Sequence, residues 1–146
     1  MFLGRYDYNL DDKGRLAIPA RLRSSGAAEG SNGEWVLAQG LDHCLFLYPL
    51  ESWHKVAEQV QALAANKSAA RKFARTLFAG ATEVGLDKQG RLVIPKQLRG
   101  WADLEHEAVV VGVGRRIEIW SKEKWNAYTA EDDYEDMAEK LADLEF

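Results

Sequence analysis

The chain has 146 residues, 47% apolar and 29% charged, with 19 Lys and Arg against 23 Asp and Glu, a formal net charge of −4. A chain of this length buries roughly two-thirds of its unfolded surface, and its single cysteine, Cys44, excludes an intramolecular disulfide framework and a cysteine-cluster zinc site. The longest apolar run, Ala108 to Val113, falls far short of the ~20 residues that a helical bilayer crossing needs. The opening Met1-Phe2-Leu3-Gly4-Arg5 lacks the basic start, apolar stretch and cleavage site of a secretory signal. The expected location is the cytoplasm.

In chain order, a strand leads to Leu10, a tight turn follows, and a second strand ends at Ile18-Pro19. Proline opens a short helix, Ala20–Arg23, as its fixed φ permits at a first helical position. The segment from Ser24 to Glu34 is rich in Gly and Ser and reads as a surface loop. Trp35–Gln39 and Leu45–Tyr48 read as a strand pair. From Leu50 to Ala64, Leu50, Trp53, Val56, Ala57, Val60, Leu63 and Ala64 recur at helical spacing. A second helix runs over Ser68–Leu77, with Ala70, Phe73, Ala74 and Leu77 on one face; Lys67, Arg71, Lys72 and Arg75 form a solvated opposite face. A strand to Leu86, a turn, a strand to Pro95 and a helix Lys96–Arg99 follow. Ala108–Val113 and Ile117–Trp120 form a hairpin turning at Gly114-Arg115-Arg116. The tail, Glu131–Phe146, places Tyr134, Met137, Ala138, Leu141 and Ala142 on one helical stripe, which some surface must cover.

The chain contains an internal repeat. Leu10-Asp11-Asp12-Lys13-Gly14-Arg15-Leu16-Ala17-Ile18-Pro19 is echoed by Leu86-Asp87-Lys88-Gln89-Gly90-Arg91-Leu92-Val93-Ile94-Pro95 at an offset of 76 residues. Phe2 and Gly4 match Phe78 and Gly80, and Leu22-Arg23 match Leu98-Arg99, making 11 identities in 22 positions. At an offset of 72, Tyr48, Glu51 and Trp53 face Trp120, Glu123 and Trp125, which assigns about four extra residues to the Ser24–Glu34 connection. In each turn the aspartate, Asp11 or Asp87, can accept backbone N–H bonds. The glycine, Gly14 or Gly90, supplies the positive φ of a three-residue hairpin with a bulge. The implied organisation is a first repeat over 5–51, a helical connection over 52–80, a second repeat over 81–124 and an acidic helical tail over 125–146.

Two copies of Leu-Asp-x-x-Gly-Arg-Leu-x-Ile-Pro, with the opening Met-Phe-Leu-Gly and the helix pair between the copies, resemble the MraZ family of bacterial transcriptional regulators. The resemblance covers essentially the whole chain. It implies an α+β, mainly β fold: two AbrB/SpoVT-type half-barrels forming one pseudo-two-fold swapped-hairpin barrel with peripheral helices. It also implies assembly into homo-oligomeric rings, and binding to direct repeats in the promoter that heads a division and cell-wall gene cluster containing the regulator's own gene. The expected function is therefore a nucleoid-associated, sequence-specific DNA-binding regulator acting as a repressor, with no cofactor, metal, membrane or small-molecule partner. One departure is that Asp12-Lys13 stands in the first turn where Lys88-Gln89 stands in the second, so the two turns need not read DNA identically.

Arg15 and Arg91 are the candidate reading residues, because a rigid guanidinium fork can bind guanine O6 and N7 or clamp a phosphate. Asp11 and Asp87, with Gly14 and Gly90, shape the turns and orient the arginines. Lys13, Lys88, Arg21, Arg23, Lys96 and Arg99 are candidate phosphate contacts, which position a protein without specifying sequence. The competing reading makes Asp11–Arg15 and Asp87–Arg91 turn-stabilising ion pairs only. The acidic total does not exclude DNA: residues 1–100 carry 14 basic and 10 acidic side chains, residues 101–146 carry 5 and 13, and only the local field within ~10 Å matters to a phosphate. Each subunit offers few cations, so affinity would come from repetition in a ring.

Other chemistry finds little support. His43-Cys44 is the nearest approach to a nucleophile–base pair, but neighbours on a strand point to opposite faces. His54 and His106 are isolated, and Gly112-x-Gly114 lacks the third glycine and the following helix of a nucleotide loop. The tryptophans read as packing, since Trp53 and Trp125 occupy equivalent repeat positions. The alternatives to a regulator are a ring-forming protein scaffold and an antitoxin-like partner-binding module.

Overall fold

The computed structural model describes residues 1–25 and 33–145, so most of the Ser24–Glu34 connection, and Phe146, lie outside the described residues. The elements are β1 (Phe2–Asn9), β2 (Arg15–Ala17), α1 (Ala20–Arg23), β3 (Glu34–Gln39), β4 (Leu45–Pro49), α2 (Leu50–Ala64), α3 (Ser68–Gly80), β5 (Thr82–Gly85), β6 (Arg91–Val93), α4 (Lys96–Trp101), β7 (Glu107–Gly114), β8 (Ile117–Ser121), α5 (Lys122–Ala130) and α6 (Tyr134–Glu139). No described helix is long and apolar enough to cross a membrane.

The fold is α+β and mainly antiparallel β. Six strands form one sheet in the order β1-β7-β8-β4-β3-β5, and β2 pairs with β6 in a separate two-stranded ribbon. Apart from the hairpins β3–β4 and β7–β8, every pairing joins one repeat to the other: β1 with β7, β5 with β3, β4 with β8 and β2 with β6. Hydrogen bonding does not close these strands into a barrel, because the sheet ends at β1 and β5 and the ribbon stands apart from it. The pseudo-dyad is visible in the registers. Leu16 faces Leu92, its own counterpart, and Leu45 and Leu47 face Ile119 and Ile117.

The main core lies between the ribbon and one face of the sheet. Leu16, Ile18 and Leu22 join their counterparts Leu92, Ile94 and Leu98, with Phe2, Trp35, Leu37, Leu45, Leu47, Ile117 and Ile119. Each such side chain contributes about 1.5–3 kcal/mol when fully buried. Helices cover the opposite sheet face. Trp53 and Leu77, on α2 and α3, cluster with Val36, Ala38 and Tyr48. Trp125, on α5, packs with Val109 and Trp120, its ring 5.4 Å from that of Trp120.

Several local expectations change. The turn at Asp11–Arg15 does not open a hairpin, because β2 leaves β1 and pairs with β6, which places Leu16 and Leu92 together on the dyad. Phe78 and Gly80 lie in α3, whereas Phe2 and Gly4 lie in β1, so those two identities mark no structural equivalence. Pro19 and Pro95 occupy the cap position, one residue before the first helical residue. Val36 faces Tyr48 while Val109 faces Trp120, an offset of 73 on one strand and 72 on the other. One of the extra residues of the first repeat therefore sits in its β3–β4 connection. Phe73 and Leu63 are exposed rather than on the packed stripes. The C-terminal segment is two short helices, α5 and α6. On α6 and beyond, Tyr134, Met137, Leu141 and Leu144 stay exposed, so no described residue covers them.

Candidate nucleic-acid interface

The two turns are built alike. Asp11 Oδ1 accepts the backbone N–H groups of Lys13 and Arg15, both at 2.9 Å, and Oδ2 accepts Arg15 Nε at 2.6 Å. Asp87 Oδ1 accepts from Gln89 N and Arg91 N at 2.9 Å, and Oδ2 accepts Arg91 Nε at 3.0 Å. Gly14 N donates to Asp11 O, and Gly90 N to Asp87 O. These bonds favour the ionised carboxylates. Asp11 is held down to about 2, first by the Arg15 backbone N–H and then by the Arg15 guanidinium and the Lys13 N–H; Asp87 is lowered for the same reasons.

Alternation on the ribbon decides where the arginines face. Leu16 and Leu92 point into the core, at 0% and 1% exposure, so Arg15, Ala17, Arg91 and Val93 occupy the outer face. Both arginines thus lie on one outward surface. Arg91 Nη1 also comes within 4.0 Å of Asp11 Oδ2, which links the two turns. Each arginine is bonded to its aspartate through Nε, so its terminal nitrogens are not engaged in that bond. Lys13, Lys88, Arg21 and Lys96 are exposed beside the turns or at the starts of α1 and α4. Arg23 and Arg99 differ, being half-buried. A Cβ built on Gly90 would meet Arg23 Cζ at 2.5 Å, and one on Gly14 would meet Arg99 Nη1 at 2.7 Å, so each guanidinium lies against the turn of the other repeat.

The family described as “MraZ protein, putative antitoxin-like” matches the chain twice, over residues 1–76 and 77–145. The chain is also similar to the “Transcriptional regulator MraZ” of Desulforamulus reducens, 46% identical over 146 residues, and to that of Moorella thermoacetica, 46% identical over 147 residues. In both comparisons 99% of each chain is covered. The chain belongs to the MraZ family.

The boundary between the two MraZ matches, at residues 76 and 77, falls inside α3, so the two sequence units are not two structural units. Elsewhere on this MraZ-family chain, Lys67, Arg71, Lys72 and Arg75 are exposed around the start and outer face of α3. His43 and Cys44 lie in and after a 3-10 turn, Leu41–His43, rather than on a strand. The His43 ring stacks on Trp101 at 4.2 Å between centroids, while Cys44 Sγ donates to Leu41 O at 3.2 Å. Burial pushes the Cys44 thiol up to about 12. The described residues contain no group of three or more His, Cys, Asp or Glu that could hold a metal ion.

Sequence reasoning missed one charged cluster. Glu118, only 9% exposed, accepts Arg116 Nε and Nη2 on Oε2 and Trp120 Nε1 on Oε1. The Arg116 guanidinium in turn sits 3.9 Å above the Phe46 ring. The signal was available: Arg116, Glu118 and Trp120 alternate along an otherwise apolar strand and therefore share a face.

Proposed function

We propose that this chain is a sequence-specific DNA-binding transcriptional regulator that reads double-stranded promoter DNA with the outer face of the β2–β6 ribbon. The observation that carries this reading is the presence of Arg15 and Arg91 together on that face, each steered by its aspartate. A two-stranded ribbon fits the major groove, and arginine is the commonest reader of guanine there. Lys13, Lys88, Arg21 and Lys96 add phosphate contacts. The names of the two relatives support regulation of transcription. The family resemblance supports direct repeats as the target, in the promoter of a division and cell-wall gene cluster that includes the chain's own gene. It also supports repression as the outcome and the nucleoid as the location.

The exchange of strands between repeats supports their kinship with AbrB/SpoVT-type half-barrels. Self-assembly into a ring is part of the proposal. Exposed Met1, Leu3, Leu41, Val113 and Tyr128, with the uncovered tail stripe, offer apolar surface for a second copy to cover.

The test is titration of the chain's own promoter fragment with wild type, Arg15→Ala, Arg91→Ala and the double variant at several salt concentrations. Wild type is expected to bind and to weaken with salt. Each single variant is expected to lose about 1–3 kcal/mol of binding, the weight of one bidentate base contact, with assembly size unchanged. Equal binding by all four proteins would make the Asp–Arg pairs structural. No binding by any of them, with intact rings, would favour the protein scaffold.

A further inference from the structure

The half-buried Arg23 and Arg99 touch the turn of the other repeat. The three heavy atoms nearest a Cβ on Gly90 all belong to the Arg23 guanidinium, and those nearest a Cβ on Gly14 all belong to that of Arg99. Gly14 and Gly90 have φ of +74° and +76°, a backbone conformation that favours glycine, and each guanidinium packs where a Cβ would stand. Arg23 is further fixed by its Nε, which donates to Ile18 O at 2.7 Å, and the N–H of the same Ile18 donates to Gly90 O at 2.9 Å. On the other side Ile94 N donates to Gly14 O at 2.9 Å. Arg99 Nε finds no acceptor among the described residues, and its guanidinium lies against the Gly14 turn.

We propose that Arg23 and Arg99 are positioning residues that act across the repeats. Arg23 braces the turn that carries Arg91, and Arg99 braces the turn that carries Arg15, so that the two reading arginines hold one fixed spacing. This rests on the reading of the turns as the DNA-contacting surface. A brace needs the flat guanidinium plate, whereas lysine still contacts a phosphate as a point charge. Lysine therefore separates the two roles.

The experiment measures promoter-fragment affinity against salt for Arg23→Lys, for Arg23→Lys with Arg91→Ala, and for Arg23→Lys with Arg15→Ala, beside wild type and the single alanine variants. Hydrogen exchange of the DNA-free proteins is measured in parallel, with the β7 and β8 amides as the check that the fold is intact. Arg23→Lys is expected to weaken binding about tenfold, as loss of one charge-assisted contact does, with an unchanged salt slope. The effect should vanish when Arg91 is already alanine and multiply fully when Arg15 is alanine. Exchange should quicken at Gln89–Arg91 and stay unchanged at Lys13–Arg15. Wild-type affinity in Arg23→Lys would overturn the proposal. Quickened exchange at the Arg15 turn alone, or at neither turn, would overturn it too. If wild type fails to bind DNA, the regulator reading falls, and the exchange pattern still decides the brace.

Discussion

At the scale of single residues, the turn aspartates carry the pH dependence. The folded chain holds Asp11 at about 2 against an ordinary 3.8, so its contribution to stability is complete above about pH 4 and is lost as the pH falls through about 2. Thermal melts should show Asp11→Asn melting below wild type at pH 7, with the gap narrowing from about pH 4 downward and closing near pH 2. A gap that persists unchanged at low pH would mean that the carboxylate charge is not what holds the turn. Cys44 sets a second expectation. At 1% exposure and with its thiol pushed up to about 12, it should ignore a disulfide reagent at pH 8 in the native protein and react once unfolded.

Among the elements, β8 carries the asymmetry of the duplicated fold. Its five residues are all buried, and the one charge among them, Glu118, faces Phe46 across the pseudo-dyad. Removing the carboxylate leaves Arg116 over an aromatic ring without its anion and leaves Trp120 Nε1 without its acceptor. Glu118→Ala is expected to cost about 2–3 kcal/mol by urea unfolding. Glu118→Gln should cost less, since an amide oxygen still accepts one of these bonds. Equal losses from the two would show that packing rather than the ionic bonds matters there. By contrast, α6 buries no residue in the single chain. Truncation before Tyr134 should leave the urea midpoint in place, and a change in sedimentation alone would assign the tail to self-association.

At the scale of the whole molecule, four of the six strand pairings among the described residues cross between the repeats. Neither repeat satisfies its edges alone, so the fold is expected to unfold as one cooperative unit despite its two sequence units. A protease site inserted between Ala65 and Lys67, in the turn joining α2 to α3, separates the repeats covalently without touching a strand. The cut halves should co-elute under native conditions, and their unfolding should become dependent on protein concentration. Independent elution of two folded fragments would contradict the strand exchange. The same exchange puts both arginine turns on one ribbon, so the spacing of the proposed reading residues is a property of the pair of repeats.

The duplicated decamer, read alone, determined the turns and the short strand–Pro–helix units, because a glycine of positive φ, an Asx-type aspartate and a proline cap act within about ten residues of one another. The apolar spacing of Leu50–Ala64 likewise marked α2 to the residue, and Pro19 marked the start of α1, since cap and periodicity are local signals. Pairing was decided only in three dimensions. Nothing in the spacing of Asp11 and Arg15 says that β2 leaves β1 for β6, because strand partners are chosen by which apolar faces meet, and Leu16 meets Leu92 on the dyad. Helix α5 was equally faint in the sequence, and its Ser121 cap, which accepts the Lys124 N–H, was seen only in the structure. Packing also decided the different environments of four similar, half-buried cations. Arg15 and Arg91 alternate outward on the ribbon, while Arg23 and Arg99, one helix later, are turned against the opposite turn by the packing of Leu22 and Leu98 into the shared core.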